Sequence, residues 1–228
     1  MIRTKRGLSH LEFILSLIVF LSFLTILMIV INPLKVSKKD NSLEFTEEAI
    51  RGMIESNLTY SSFYSGNSVD KACFTITKNL PGKVVVKDKG DTRIQAGSSG
   101  EIITIYEKGR KFYKIFLLDN FIENPGENTD CSALVTGTYG VPVTYKIISY
   151  EKMNSLKQKY DADYIGLKGD LKITNDFILK ISLPGQGQEI LMERQIPSGV
   201  STRATDEPIE VINSAGNIFQ GKMNLIVW

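Results

Sequence analysis

The residues of this chain that could do chemistry are few, and their spacing limits what they can do. Its single histidine is His10, beside an apolar run, so no downstream Ser-His-Asp or Cys-His arrangement and no histidine metal site can be assembled. The cysteines are Cys73 and Cys131. They are too far apart for a CxxC redox pair and too few for zinc, which leaves a disulfide or two buried free thiols. The acidic neighbours Asp161/Asp163 and Asp206/Glu207 have the residue types of acid–base or glycosidase chemistry, yet carboxylates in polar turns are ordinarily solvated surface. No GxxxxGK[ST] or GxGxxG phosphate loop occurs, and Gly185-Gln186-Gly187 reads as a turn. Asn57-Leu58-Thr59 is an acceptor sequon, which makes Asn57 a candidate glycosylation site. Tyr60, Phe63 and Tyr64 are an aromatic binding patch or ordinary strand residues. No catalytic, cofactor-binding or metal residue is expected, and the chain is read as a non-enzyme.

The sequence positions these groups behind an apolar segment. Arg3, Lys5 and Arg6 precede Gly7-Leu8-Ser9-His10-Leu11-Glu12, and from Phe13 to Ile31 there is no charge. At about 1.5 Å of rise per residue such a helix covers roughly 28 Å, close to the hydrocarbon thickness of a bilayer. A removable secretory signal has a shorter apolar region, of about 7–15 residues, and a small-residue cleavage site. Ile31-Asn32-Pro33-Leu34 is not such a site, so a retained transmembrane helix over 8–34 is expected, with membrane lipid as a partner. Glu12 is the anomaly, since an acidic side chain at mid-bilayer costs about 2.5–3.5 kcal/mol, and less near the helix end.

The run Lys5-Arg6-Gly7-Leu8-Ser9 followed by Leu11-Glu12-Phe13 resembles the class III signal of type IV pilin-like proteins, closer to archaeal precursors than to bacterial ones. The resemblance covers residues 3 to about 34, and Leu8 departs from the Phe common after the glycine. It implies cleavage between Gly7 and Leu8 by a prepilin-type peptidase, which removes a basic leader, 1–7, and makes Glu12 the fifth residue of the processed chain. It further implies that Glu12 meets the N-terminal amine of a neighbouring subunit in a filament, which would relieve the desolvation of both charges.

Net charge is +2, with Lys+Arg 27 against Asp+Glu 25, and no basic stripe appears, so nucleic acid is not an expected partner. Lys35, Lys38 and Lys39 after the apolar segment balance the basic residues before it, leaving the positive-inside rule a weak inward vote for the N-terminus. The cysteines, the sequon and the leader favour a single-pass protein at the cell membrane, with the N-terminus cytoplasmic before processing and the C-terminal domain extracellular.

Residues 35–58 read as a polar linker and an amphipathic helix. Asn41 with Glu44 forms a capping box, and Phe45, Ala49, Ile50, Met53, Ile54 and Leu58 recur at helical spacing. From Ala72 the period becomes two, with strands expected at 73–77, 83–87, 101–107, 111–118 and 143–148. The runs around Lys108-Gly109-Arg110 read as a hairpin. One helix follows, through Met153, Leu156, Tyr160, Tyr164, Leu167 and Leu171 with Ser149 as N-cap, and then strands at 176–182, 190–196, 208–212 and 219–228.

The fold class expected is therefore α+β: an N-terminal transmembrane helix, then a mainly antiparallel β-rich exterior domain, 59–228, with one internal helix. The function expected is that of a structural or adhesive, pilin-like surface subunit whose partners are related subunits. The alternatives are a stand-alone anchored surface domain that binds a ligand or envelope partner, and, third, an anchored hydrolase.

Overall fold

The computed structural model describes residues 6–31, 41–66, 71–78, 80–108, 112–127, 130–132 and 135–228. The chain divides into two compact units, Met1–Asn41 and Ser42–Trp228. The first holds one helix, α1 (Arg6–Ile31). The expected linker, 35–40, and Pro33 lie outside the described residues.

The second unit opens with α2 (Ser42–Ile54), which passes without a loop into β1 (Glu55–Ser65). There follow β2 (Cys73–Thr77), β3 (Lys83–Lys87), β4 (Arg93–Ile94), β5 (Ala96–Ser99), β6 (Ile102–Ile105), β7 (Phe112–Leu118), β8 (Cys131–Ser132), β9 (Gly137–Tyr139) and β10 (Val143–Ser149). Two helices, α3 (Tyr150–Ala162) and α4 (Tyr164–Leu171), precede β11 (Phe177–Leu183), β12 (Gln188–Met192), β13 (Arg203–Ile212) and β14 (Ile218–Val227). Among the described residues these strands make a ten-stranded sheet, ordered β12-β11-β14-β13-β10-β1-β7-β3-β4 with β9 also on β1, and a four-stranded sheet ordered β5-β6-β2-β8.

The register fixes which side chains share a face, because residues directly opposed on neighbouring strands point the same way. Glu55 lies opposite Ile148, Asn57 opposite Lys146, and Thr59 opposite both Thr144 and Leu117. Ile148 belongs to a core formed with α2, α3, α4 and β11–β14, including Ile50, Met153, Leu167, Phe177 and Leu225. Leu117 belongs to a second core, where Phe63, Tyr113 and Val84 meet Phe74 and Ile105 of the smaller sheet. One face of the large sheet thus carries helices over one half and a second sheet over the other. The opposite face is apolar only in its middle, where Leu58, Phe116, Ile147 and Ile212 pack under Phe121. The turn after β13 reaches over that patch through Gly216, whose φ is +81° and on which a Cβ would stand 2.7 Å from Val85.

The expected fold class is corrected on three points. First, among the described residues no helix is long and apolar enough to cross a membrane, so the expected transmembrane helix over 8–34 is not supported. Second, the fold is a mixed, sheet-rich α/β arrangement: its pairings are mainly antiparallel, as expected, but β10 pairs β13 in parallel, at Ile148–Val211 and Ser149–Ile212, and β2 pairs β8 in parallel. Third, the single internal helix is two. Asp163, at φ −149° and ψ 81°, ends α3 and caps α4 by accepting from Gly166 N, while Ser149 caps α3 as its position suggested.

Two local expectations also change. β6 and β7 do not form a hairpin: β6 pairs β2 and β5 in the small sheet, and β7 pairs β1 and β3 in the large one. The amphipathic helix stops at Ile54 rather than Leu58, because Ser, Asn, Thr, Tyr and Phe dominate the next residues and favour an extended chain.

β14 lies between β11 and β13, pairing with both, and Met223 and Leu225 are fully buried. Deleting residues 222–228 from the full chain removes a central strand, so loss of the cooperative thermal transition of the domain is expected by circular dichroism. A retained transition at unchanged temperature would contradict this placement.

Candidate functional site

The candidate residues are distributed over several places. Gly7 and Leu8 lie in the first turns of α1, and their side chains are outside those described. Glu12 follows on the same helix and is exposed, as are the large apolar side chains from Phe13 to Leu27, with Phe13 at 66 %. Ser22 and Thr25 turn their hydroxyls back onto the helix, donating to Ile18 O at 2.8 Å and Leu21 O at 2.7 Å. The outward surface of this stretch is therefore hydrocarbon nearly all round, with one carboxylate at its start.

Cys73 and Cys131 are bonded to each other, with Cα atoms 4.5 Å apart, which decides between bridge and free thiols. They stand directly opposite in the parallel β2–β8 pair, so the bridge staples a two-residue strand to the edge of the small sheet. The Lys71–Asp130 ion pair, 2.6 Å, lies beside it.

The two sheets are joined by Glu123. Its carboxylate accepts from Val84 N in β3 at 2.8 Å, from Ser98 N in β5 at 3.0 Å, and from the Ser98 hydroxyl. Burial pushes this carboxyl up, but the Ser98 and Val84 hydrogen bonds and the charge of Lys78 outweigh it and hold it below its ordinary value.

The acidic pairs do not converge. Asp161 pairs with Lys157 at 2.6 Å, and Asp163 is the α4 cap. Asp206 pairs with Lys222, and Glu207 with Arg51. Arg51 also holds Glu47 at 2.7 Å and Glu55 at 3.5 Å, and these carboxylates raise its pKa despite partial burial. Tyr60, Phe63 and Tyr64 do not form a patch: Phe63 is fully buried, Tyr60 packs on Phe116 at 5.2 Å, and Tyr64 is exposed.

A buried cluster, visible in the sequence only as helical spacing, joins Tyr160, Tyr164 and Phe177. Tyr164 donates to Asp176 at 3.0 Å, accepts from Phe177 N at 3.0 Å, and carries the Arg194 guanidinium 4.0 Å above its ring. Burial pushes its hydroxyl up to about 12, and that of Tyr160 higher still. Both phenols stay protonated at neutral pH and serve as anchors of α3 and α4. Among the described residues no group of His, Cys, Asp and Glu could hold a metal ion.

The one sizeable polar hollow in which a candidate takes part lies at the start of β1. Asn57, exposed on that strand, forms part of a cavity of about 270 Å³ that also involves the α2 C-terminus, the turn after β7, β10 and the first turn of α3. It sits on the strip of sheet face between the helical cover and the small sheet, where Thr59 and Thr144 join hydroxyls at 2.9 Å. Lys152 Nζ donates to Glu55 O at 2.6 Å, and Lys146 stands 3.3 Å from the Glu55 carboxylate. Asn120 donates to Ser149 Oγ at 3.4 Å. Gly52 also lines the hollow, with nothing within 4 Å of where its Cβ would be. A helix-interior glycine is destabilising by roughly 0.5–1 kcal/mol relative to Ala, and no neighbour here requires it. Of these residues the sequence singled out Asn57 alone, because the lining comes from four separated stretches of the chain. No family model, curated protein or solved structure matches the chain.

Two outcomes are expected of these anchors. Replacing both Cys73 and Cys131 by Ala should lower stability by roughly 4 kcal/mol in the chain-entropy description, read from urea unfolding against the oxidised parent. Glu123, held below its ordinary value of 4.5, contributes stability that is fully present above that pH and is lost as pH falls through its lower folded value. Melting temperature should therefore drop on acidification below about pH 4.5, and more steeply in the parent than in Glu123→Gln. Parallel pH profiles would contradict this role.

Proposed function

We propose that this chain is a structural subunit of a pilin-like assembly on the exterior of the cell, joined to other copies through α1. The observation that supports this most is the hydrocarbon surface of α1, whose exposed side chains from Phe13 to Leu27 leave it no polar face. A helix apolar on every side must be covered, and the same helix of neighbouring copies supplies a cover of matching length and character. Glu12 then lies among apolar side chains, where a carboxylate requires a cation. Cutting between Gly7 and Leu8 by a prepilin-type peptidase creates that cation, the amine of Leu8 on an adjacent copy. The Cys73–Cys131 bridge favours an oxidising, exterior location. The domain Ser42–Trp228 is the part such an assembly displays.

Two measurements test this. N-terminal sequencing of protein from its native cells should begin at Leu8; an intact Met1 in cells that contain the peptidase would remove the processing step. Breaking a buried ion pair costs about 3–5 kcal/mol, so Glu12→Ala should weaken assembly by roughly a hundredfold or more, with expression and cleavage retained. Undiminished assembly in this variant would remove the pairing, and parent protein that stays monomeric would remove the function.

A further inference from the structure

The hollow beside Asn57 is lined only by residues of Ser42–Trp228. Charged side chains on other parts of this unit are held in pairs, such as Lys157–Asp161, Lys168–Asp176 and Lys180–Glu189. Here the two lysines are already engaged, both by Glu55: Lys146 by its carboxylate at 3.3 Å and Lys152 by its carbonyl at 2.6 Å. The Glu55 carboxylate is shared with Arg51 at 3.5 Å. Ser56, Asn57, Asp119 and Asn120 also line this cavity, and among the described residues no ion pair or side-chain hydrogen bond engages the first three, while Asn120 keeps an N–H and its carbonyl.

This set selects its ligand by elimination. Lys146 and Lys152 balance Glu55 and Asp119 in formal charge, so neither a phosphate nor a cation gains a net field. Amides and a hydroxyl both donate and accept, and a carboxylate accepts from two adjacent donors at once. A neutral molecule carrying neighbouring hydroxyls satisfies all of them. Gly52 keeps the wall open where any other residue would place its side chain in free space. The cavity, at about 270 Å³, admits one ring of a saccharide rather than a chain.

We propose that this hollow is a binding site for one neutral sugar unit, with Asp119 and Asn57 contacting adjacent hydroxyls and Gly52 providing the room. The site does not depend on the assembly reading, because every residue in it lies within Ser42–Trp228. No aromatic ring lines it among the described residues, so binding is weak and the probes are used at about 5–20 mM.

The test is saturation-transfer NMR on the full chain in a zwitterionic, sugar-free detergent. The probes are the methyl glycosides of glucose, galactose, mannose and N-acetylglucosamine, with inorganic phosphate followed separately by its phosphorus line width. Transfer to at least one glycoside is expected. It should fall about fivefold or more in Gly52→Leu, which fills the hollow, or in Asp119→Asn, which keeps the shape and removes the charge. Both variants are compared at matched melting temperature, and a loss in either with the fold retained supports the site. Three results overturn it: no transfer to any of the four glycosides, undiminished transfer in both variants, or broadening of phosphate alone. None of these bears on whether α1 assembles.

Discussion

The offset of β1 is the constraint on which the domain depends. Its first half, from Glu55 to Tyr60, pairs β10, while the stretch from Thr59 to Tyr64 pairs β7. Because the strand outlasts either neighbour, it carries the chain from the helix-covered half of the sheet to the half covered by the small sheet. Ile54, the last residue of α2, packs in one core, and Phe63, further along the same continuous segment, packs in the other. The polar strip between them follows from that geometry. Where one cover ends and the next has not begun, Asn57, Thr144 and Lys146 are exposed and Thr59 is half-buried.

Holding two different layers on one sheet requires connections that hydrophobic burial does not supply. Burial is non-directional and fixes neither the angle nor the register of the small sheet. Glu123 does this by taking hydrogen bonds from both sheets, and the disulfide fixes β8 to the far edge. On the other half, Arg51 joins α2 to β13 through Glu207, and Tyr164 ties α4 to the start of β11. Apart from the disulfide, which acts within the small sheet, these are polar contacts between separate elements.

Much of this arrangement was legible in the residues. Alternating β-branched residues gave β2 and β3 at their observed bounds, and the three- and four-residue spacing from Met153 to Leu171 gave the helical interruption with Ser149 at its head. β1 was hidden because Leu58 continues the spacing of Ile50 and Ile54, so a helical pattern overran a strand-forming sequence. The hairpin expected around Gly109 failed because proximity in sequence favours pairing only when both strands belong to one sheet, and β6 and β7 part company. The apolar run of α1 was legible as a helix, whereas its crossing of a membrane is not supported. Asn57 was visible only as a sequon. The hollow around it exists because β7, β10 and α3 converge there, and no local pattern encodes that convergence.

The parallel joint between β10 and β13 has a kinetic consequence. Among the described residues only Ile148–Val211 and Ser149–Ile212 connect the two halves of the large sheet by backbone pairing, across more than sixty residues of intervening chain. Closing so long a loop for so short a ladder is entropically unfavourable until the side chains around it are in place. Each half can form its own antiparallel ladders from nearer neighbours, β13 with β14 and β1 with β7. The joint is accordingly the pairing expected to close last as the sheet forms.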